Sequence, residues 1–155
     1  MGEALKRRLK QARFDSPVHE AMLNLMVAAD HVRTGIDRVC AGYELTHGQY
    51  NVLRILRGAH PEGQPRCEIA ARLVERAPDV TRLVDRLEVR GLVERVRSTT
   101  DRRLSITRIT RKGLALLEEI TPQLEQLFAE LHVRLSPRDA RELSRICESL
   151  YDDAA

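Results

Sequence analysis

The apolar pattern of this chain changes its period at Gly91, and this change limits the fold more than any other feature. Before Gly91, apolar residues recur at three- and four-residue spacings, which predicts an amphipathic helix from Val80 to Arg90. After it, the runs LVERV and LSITRI alternate apolar with polar residues like half-buried strands, and a polar, basic stretch joins them. The sequence therefore predicts a helix followed at once by a basic β-hairpin.

Helices are also predicted on the N-terminal side of this unit. Ser16-Pro17 combines a capping side chain with proline at an early helical position, and the long amphipathic helix that it starts ends at Gly42. A second helix opens at Leu45-Thr46 and ends in the loop Arg57–Pro65, and a short third helix runs through CEIAARLVE. The first thirteen residues are basic, and we expect them to form a helical or frayed arm, with a contact to DNA phosphate as one option.

Two further helices are predicted after the hairpin. Thr110 caps a long helix in which Pro122 is expected to cause a kink or a break, and Ser136-Pro137 starts the last helix. The fold class is therefore mainly α with a small β-hairpin.

The charge of the chain is concentrated in its middle. The net charge of the 155 residues is only +3, but residues 76–112 hold 11 basic and 5 acidic residues, whereas residues 113–155 hold 4 and 9. A basic segment of this kind is typical of a surface that binds a polyanion. The composition, with 43% hydrophobic residues, predicts one compact domain or two small coupled lobes.

Other classes of function find little support in the sequence. The three cysteines have no pairing spacing, the five histidines have no metal-binding spacing, and no apolar run has the length of a membrane span or the layout of a signal peptide. Nucleotide-binding and nucleophile motifs are absent from the sequence. We expect a cytoplasmic protein that is not an enzyme, has no metal or cofactor, and does not bind a membrane.

The order helix, helix, turn, helix, hairpin is the arrangement of a winged helix-turn-helix. In that arrangement the 80–90 helix lies in the major groove of double-stranded DNA, and the basic hairpin is a wing that reaches the minor groove.

The motifs LTHGQYNVLRIL, EIAARL, VTRLVDRLEVRGLVER, DRR and ITRKG follow one another at spacings that resemble the multiple antibiotic resistance regulator (MarR) family. The resemblance implies a homodimeric transcriptional regulator, a repressor more often than an activator, on a pseudo-palindromic operator. It also implies a small effector, often a phenolic or other aromatic anion. Residues 1–44 and 111–155 would form the dimerisation helices, and residues 45–110 the winged helix-turn-helix lobe. At Pro65-Arg66-Cys67 the family more often has a Thr or Ser cap.

Candidate DNA contacts follow from the outward face of the 80–90 helix and from the hairpin. Arginine can donate two hydrogen bonds to guanine, and a threonine near a helix start suits a phosphate or a base edge. The candidates for the major groove are Thr81, Arg82, Asp85 and Arg86, those for the wing are Arg97, Asp101, Arg102 and Arg103, and those for the DNA backbone are Arg76 and Arg95. By resemblance, Asp101 and Arg103 organise the wing, and Arg103 enters the minor groove. The effector-binding residues are not identified from the sequence.

Four alternatives stay open at this point. The charged residues of the 80–90 helix also fit a solvated face with ion pairs, and Asp101 and Arg103 fit a simple ion pair in a turn. The fold also fits a protein-interaction scaffold without specific DNA binding. A redox-sensing regulator is a fourth option, because Cys67 lies near a helix N-terminus, where thiolate is stabilised.

Overall fold

The computed structural model describes residues 2–74, 79–97 and 104–152. Seven helices and three short strands lie in these ranges: α1 (Glu3–Leu9), α2 (Pro17–Ala41), α3 (His47–Gly58), β1 (Gln64–Pro65), α4 (Arg66–Arg72), α5 (Val80–Val89), β2 (Val93–Arg97), β3 (Ser105–Ile109), α6 (Arg111–His132) and α7 (Pro137–Tyr151). The predicted fold class, mainly α with a small hairpin, is confirmed. No helix within these ranges is long and apolar enough to span a membrane.

The helices begin where polar side chains can accept hydrogen bonds from the first free backbone N–H groups. The Ser16 and Ser136 hydroxyls accept from the third helical residue of α2 and α7, and Thr110 does the same for α6. Thr46 forms a capping box with Gln49 at the start of α3. These caps confirm the predicted helix starts at 16–17, 46, 110 and 136–137.

The sheet has one strand more than the predicted hairpin. Strands β2 and β3 pair antiparallel, and β1 joins the free edge of β3, with Gln64 opposite Thr107 and Pro65 opposite Ile106. The prediction of a plain loop over Arg57–Pro65 was therefore wrong at both ends, because its first two residues belong to α3 and its last two form β1. A proline lacks the N–H of a central strand, but the outer edge of a sheet tolerates it.

The helix α6 runs unbroken through Pro122, so the predicted option of a break is wrong. Proline removes one helical N–H and crowds the preceding turn, which frees carbonyl groups there. Two hydroxyls donate to carbonyls of that turn: Thr121 to the oxygen of Leu117 at 2.7 Å, and Tyr43 to the oxygen of Glu119 at 2.9 Å. The second bond joins the turn after α2 to the middle of α6.

The core lies between α3, α4, α5, the sheet and the first half of α6. Its fully buried side chains come from all of these elements and include Leu53, Leu56, Ile69, Leu87, Leu92, Val93, Leu117 and Ile120. The N-terminal arm is helical, as one of its two predicted forms, and it buries Leu5. The core thus fixes α5 and the hairpin on one body, while α2, α6 and α7 extend from it.

Candidate nucleic-acid interface

The first turn of α5 presents an arginine to solvent. Asp79 caps the helix by accepting from the backbone N–H of Arg82 at 3.0 Å, and its other oxygen lies 2.9 Å from Nε of the same arginine. The Arg82 side chain is 78% exposed. An exposed pair of this type contributes little to folding, so the guanidinium is free to exchange its carboxylate for a DNA group.

One basic residue next to this turn was missed by the sequence reasoning. Nη1 of Arg66, at the start of α4, donates to the hydroxyl of Thr81 at 3.0 Å, and Arg66 is exposed. The two residues are fifteen positions apart, so only the packing of α4 against α5 brings them together. Thr81, a predicted DNA contact, is thus accompanied by a second cation.

Arg86 lies one turn further along α5 and is exposed. Its guanidinium has no ion pair or hydrogen bond with any residue in the described ranges. Val80, Val84 and Leu87 on the other side of α5 are buried, as the predicted face requires. Arg82 and Arg86 therefore share the solvent side of the helix, four residues apart.

Arg90, at the end of α5, has a structural role instead. It donates to the backbone oxygens of Glu44 at 2.6 Å and Tyr43 at 3.1 Å, while Lys112 donates to the oxygen of Arg90 at 2.8 Å. These bonds tie the C-terminus of α5 to the turn between α2 and α3 and to the first turn of α6.

Arg95, predicted to contact the DNA backbone, is held between two carboxylates of α5. Its Nη1 lies 2.7 Å from Oε2 of Glu88, and its Nη2 donates to Oδ1 of Asp85. The structure thus brings Asp85 and Arg95 together, and adds Glu88, which sequence reasoning missed. The spacing of seven and ten residues across Gly91 gave no signal, because the contact depends on how the hairpin folds back on α5.

The hairpin strands are placed beside α5 as predicted. Arg97 ends β2, is exposed, and pairs in register with Ser105 of β3. The predicted wing residues Asp101, Arg102 and Arg103, and the predicted backbone contact Arg76, lie outside the described residues.

A groove of about 980 Å³ opens between α2, α3, α6 and α7. Its walls are mostly apolar, with Met22, Leu25 and Phe128 among them. Polar groups come from α2 and from α3, and on α3 Tyr50 and Arg54 lie together; the guanidinium carbon of Arg54 is 6.0 Å from the centre of the Tyr50 ring. Desolvation raises the pKa of the Tyr50 hydroxyl, which favours its neutral, hydrogen-bonding form.

The three cysteines differ in accessibility. Cys40 is fully buried, and burial, with Asp37 nearby, raises the pKa of its thiol to about 11. Cys67 is exposed, and Cys147 is partly buried in the wall of the groove.

This difference predicts three distinct reactivities towards a disulfide reagent at pH 7.5. Cys67 is expected to react first, Cys147 more slowly, and Cys40 only after unfolding, since the reactive thiolate is scarce and shielded there. The measurement is the time course with which the reagent releases its own thiol, with and without denaturant. Cys67→Ser is expected to remove the fast phase. Equal rates for all three thiols would contradict the burial pattern.

Comparisons with known proteins agree with this geometry. The sequence profile of the MarR family matches residues 45–105. The HTH-type transcriptional regulator MhqR of Bacillus subtilis is 31% identical over 121 residues, which cover 78% of this chain and 77% of MhqR.

Solved structures show the same fold. A MarR transcription factor from Planctomyces limnophilus is 39% identical, with a TM-score of 0.67 over 88% of this chain and 98% of that one. MepR of S. aureus, solved in complex with DNA, is 22% identical, with a TM-score of 0.72 over 84% of this chain and 94% of MepR. The chain therefore belongs to the MarR family of winged-helix transcriptional regulators.

Proposed function

We propose that this protein is a sequence-specific, dimeric repressor that binds a pseudo-palindromic operator and responds to a small aromatic anion. The observation that carries the proposal is the pair of exposed arginines on α5, Arg82 and Arg86, beside a basic hairpin. Arginines spaced by one helical turn on an outward face can address adjacent base pairs in a major groove.

The DNA contacts are assigned to α5 and the hairpin within the lobe 45–110. Arg82 and Arg86 read bases, while Thr81, with Arg66 beside it, meets a phosphate at the helix start. In the wing, Arg97 and Arg102 meet phosphates, and Arg103, directed by Asp101, enters the minor groove. Arg76 is a further phosphate contact in this proposal.

Dimerisation is assigned to the terminal segments, 1–44 and 111–155. The last helix, α7, has no buried residue, although it is amphipathic, and its apolar side chains Leu143, Ile146 and Leu150 are about half exposed. Met26 of α2 and Phe128 of α6 are exposed nearby in the same groove. An apolar surface shared by several helices is typical of an interface, and a second copy of the chain is the occupant that an inverted-repeat operator requires.

The effector site is assigned to the part of the groove near Tyr50 and Arg54. An arginine and a tyrosine hydroxyl in the wall of a mostly apolar groove suit an aromatic ring that carries a carboxylate or phenolate. Because α3 also packs on α5, a ligand there that prefers one spacing of the two lobes shifts operator affinity. A coupling of 1 to 3 kcal/mol corresponds to a change of roughly 5- to 150-fold.

The test is selection from randomised DNA duplexes with the purified protein at moderate salt. Enrichment of an inverted repeat with half-sites about 10 base pairs apart supports a dimeric, sequence-specific regulator. Weak, salt-sensitive binding without enrichment would contradict it and favour the interaction scaffold. The relatives described above are regulators, and nothing within residues 2–74, 79–97 and 104–152 favours catalysis.

Arg86→Ala gives a residue-level test of base reading. Its affinity for the selected operator is expected to fall by about 1 to 3 kcal/mol, because a bidentate contact to guanine is lost. Affinity for a scrambled duplex is expected to change little, and Arg141→Ala, which removes an exposed arginine from α7, is the matched control. The two affinities are measured by fluorescence anisotropy. Equal losses on both duplexes would make Arg86 a phosphate contact instead.

A further inference from the structure

A cluster of three charged side chains joins α5 to the described part of the hairpin. Asp85 and Glu88 stand one turn apart on α5, and the guanidinium of Arg95, on β2, lies between them with one amino group on each carboxylate. The Arg95 side chain is only 32% exposed, against 78% for Arg82. The guanidinium of Arg95 is therefore far more constrained than that of Arg82.

We propose that Arg95 is a positioning residue that holds the wing on α5, and that it is not a contact to DNA phosphate. The proposal rests on the proposed function. In it, the Asp85–Glu88–Arg95 cluster fixes the angle between the helix in the major groove and the hairpin at the minor groove. Sequence preference then depends on residues that touch no base.

The connection between α5 and β2 explains why such a cluster is needed. Only Arg90, Gly91 and Leu92 separate the two elements, and Gly91 adopts a φ of +68°. The backbone N–H of Leu92 donates to the oxygen of Leu87 at 3.0 Å, which closes the turn at the start of β2. Arg95 lies three residues after Leu92, and its ion pairs attach the middle of β2 to α5.

The partner strand transmits this attachment to the whole hairpin. Arg95 is in register with Thr107 of β3, which is 3% exposed, and β3 in turn pairs with β1. Because the three strands form one sheet, a constraint at Arg95 orients β3 together with β2.

Electrostatics argues against a direct phosphate contact by Arg95. Moving the guanidinium to a phosphate would leave the carboxylates of Asp85 and Glu88 without their cation, next to the DNA polyanion. For the same reason the carboxylate of Asp85 stays on Arg95. Asp85 lies on the outward face of α5, where a carboxylate can accept a hydrogen bond from a cytosine amino group, but in this proposal it does not read a base.

The two roles of Arg95 differ in their salt dependence. Each phosphate contact adds about 0.9 to the slope of log affinity against log salt concentration. A positioning residue contributes nothing to that slope, but it contributes to the preference for the operator over other sequences. Measuring both quantities separates the roles.

The experiment uses the full-length protein, the inverted-repeat duplex that the wild type selects, and a scrambled duplex of the same length. For Arg95→Ala we expect about 10-fold weaker operator binding, as for the loss of roughly 1.4 kcal/mol. Scrambled-duplex binding and the salt slope are expected to stay unchanged. Hydroxyl-radical protection at the flanks of the operator, where the wing lies, is expected to weaken. A slope lower by about one, with equal losses on both duplexes, would overturn the proposal.

A second variant tests the proposal from the other side. Asp85→Asn with Glu88→Gln removes both acceptors and keeps the arginine. If Arg95 positions the wing, preference for the operator falls even though the protein becomes more positive. If Arg95 meets phosphate, both duplexes are bound more tightly and the preference is kept, which overturns the proposal. Glu94→Gln, on the same strand and exposed, controls for the loss of a carboxylate.

A double-mutant cycle completes the test. Arg95→Ala combined with the Asp85→Asn, Glu88→Gln pair is expected to be no worse than Arg95→Ala alone, because all three act as one unit. Additive losses would overturn the proposal. If circular dichroism shows that Arg95→Ala does not fold, the Asp85→Asn, Glu88→Gln variant alone decides between the two roles of Arg95. Failure of the wild type to select any duplex would contradict the proposed function, whereas a wild-type preference that Arg95→Ala retains would contradict this inference alone.

Discussion

Ile146→Asp is expected to convert the proposed dimer into monomers and to weaken operator binding roughly 10²- to 10⁴-fold. Ile146 belongs to the apolar side of α7, which the single chain leaves about half exposed. An ionised carboxylate there would be buried without a partner at the proposed dimer interface. The loss in affinity has the size expected when two linked half-site contacts become independent. Sedimentation and fluorescence anisotropy on the selected duplex measure the two effects.

Arg141→Asp is the matched control for this variant. Arg141 is exposed on the opposite, polar side of α7, so the new carboxylate stays in water and the dimer is expected to persist. If Ile146→Asp remained dimeric at micromolar concentration, the exposed side of α7 would not be the dimer interface. If it became monomeric but bound the operator as the wild type does, the proposed two-half-site recognition would be wrong.

The fold was predictable from the sequence wherever the signal was local. Capping residues such as Thr46 and Thr110 and periodic apolar spacing identify helix starts and faces within a few residues. Strand β1 was missed because two residues, one of them Pro65, have no pattern of their own, and they become a strand only by pairing with β3. A break at Pro122 was predicted as an option because the sequence does not show which groups bind the carbonyls that the proline frees. One of these groups is the hydroxyl of Tyr43, which lies far away in sequence.

The candidate site was predictable as a charged surface, but the role of each arginine was not. Four arginines of this surface count equally as positive charges: Arg82, Arg86, Arg90 and Arg95. In the structure, however, Arg90 binds backbone oxygens near α2, and Arg95 binds two carboxylates of α5. Arg82 and Arg86 are the two that stay on the solvent side of the helix. Which cation is available for DNA depends on contacts across turns and between elements, and such contacts leave no spacing in the sequence.

The junction between the hairpin and α6 shows how tightly the sheet is tied to the helix that follows it. Thr110 donates its backbone N–H to the oxygen of Leu92 at 3.1 Å and its hydroxyl to the oxygen of Gly91 at 2.7 Å, and its hydroxyl oxygen also caps Gly113. A side chain at residue 113 would point into this junction. Its Cβ would lie 2.3 Å from the oxygen of Leu92 and 2.7 Å from Cγ1 of Ile109.

Gly113→Ala is therefore expected to destabilise the protein by about 3 kcal/mol, the upper end of the usual cost of overpacking, because a hydrogen-bonded backbone carbonyl has to move. The midpoint of thermal unfolding is expected to fall by roughly 6 to 12 °C. Calorimetry at one fixed protein concentration measures it, since the stability of a dimer depends on concentration.

Gly58→Ala is the control, because Gly58 ends α3 and a Cβ there would meet no atom within 4 Å. Its stability is expected to stay the same or rise by up to about 1 kcal/mol, as alanine is the better helix former. Equal melting temperatures for Gly113→Ala and the wild type would show that the hairpin can shift against α6 at little cost. The lobe would then be loosely attached, and the proposed effector could not change the spacing of the two α5 helices of the proposed dimer through this junction.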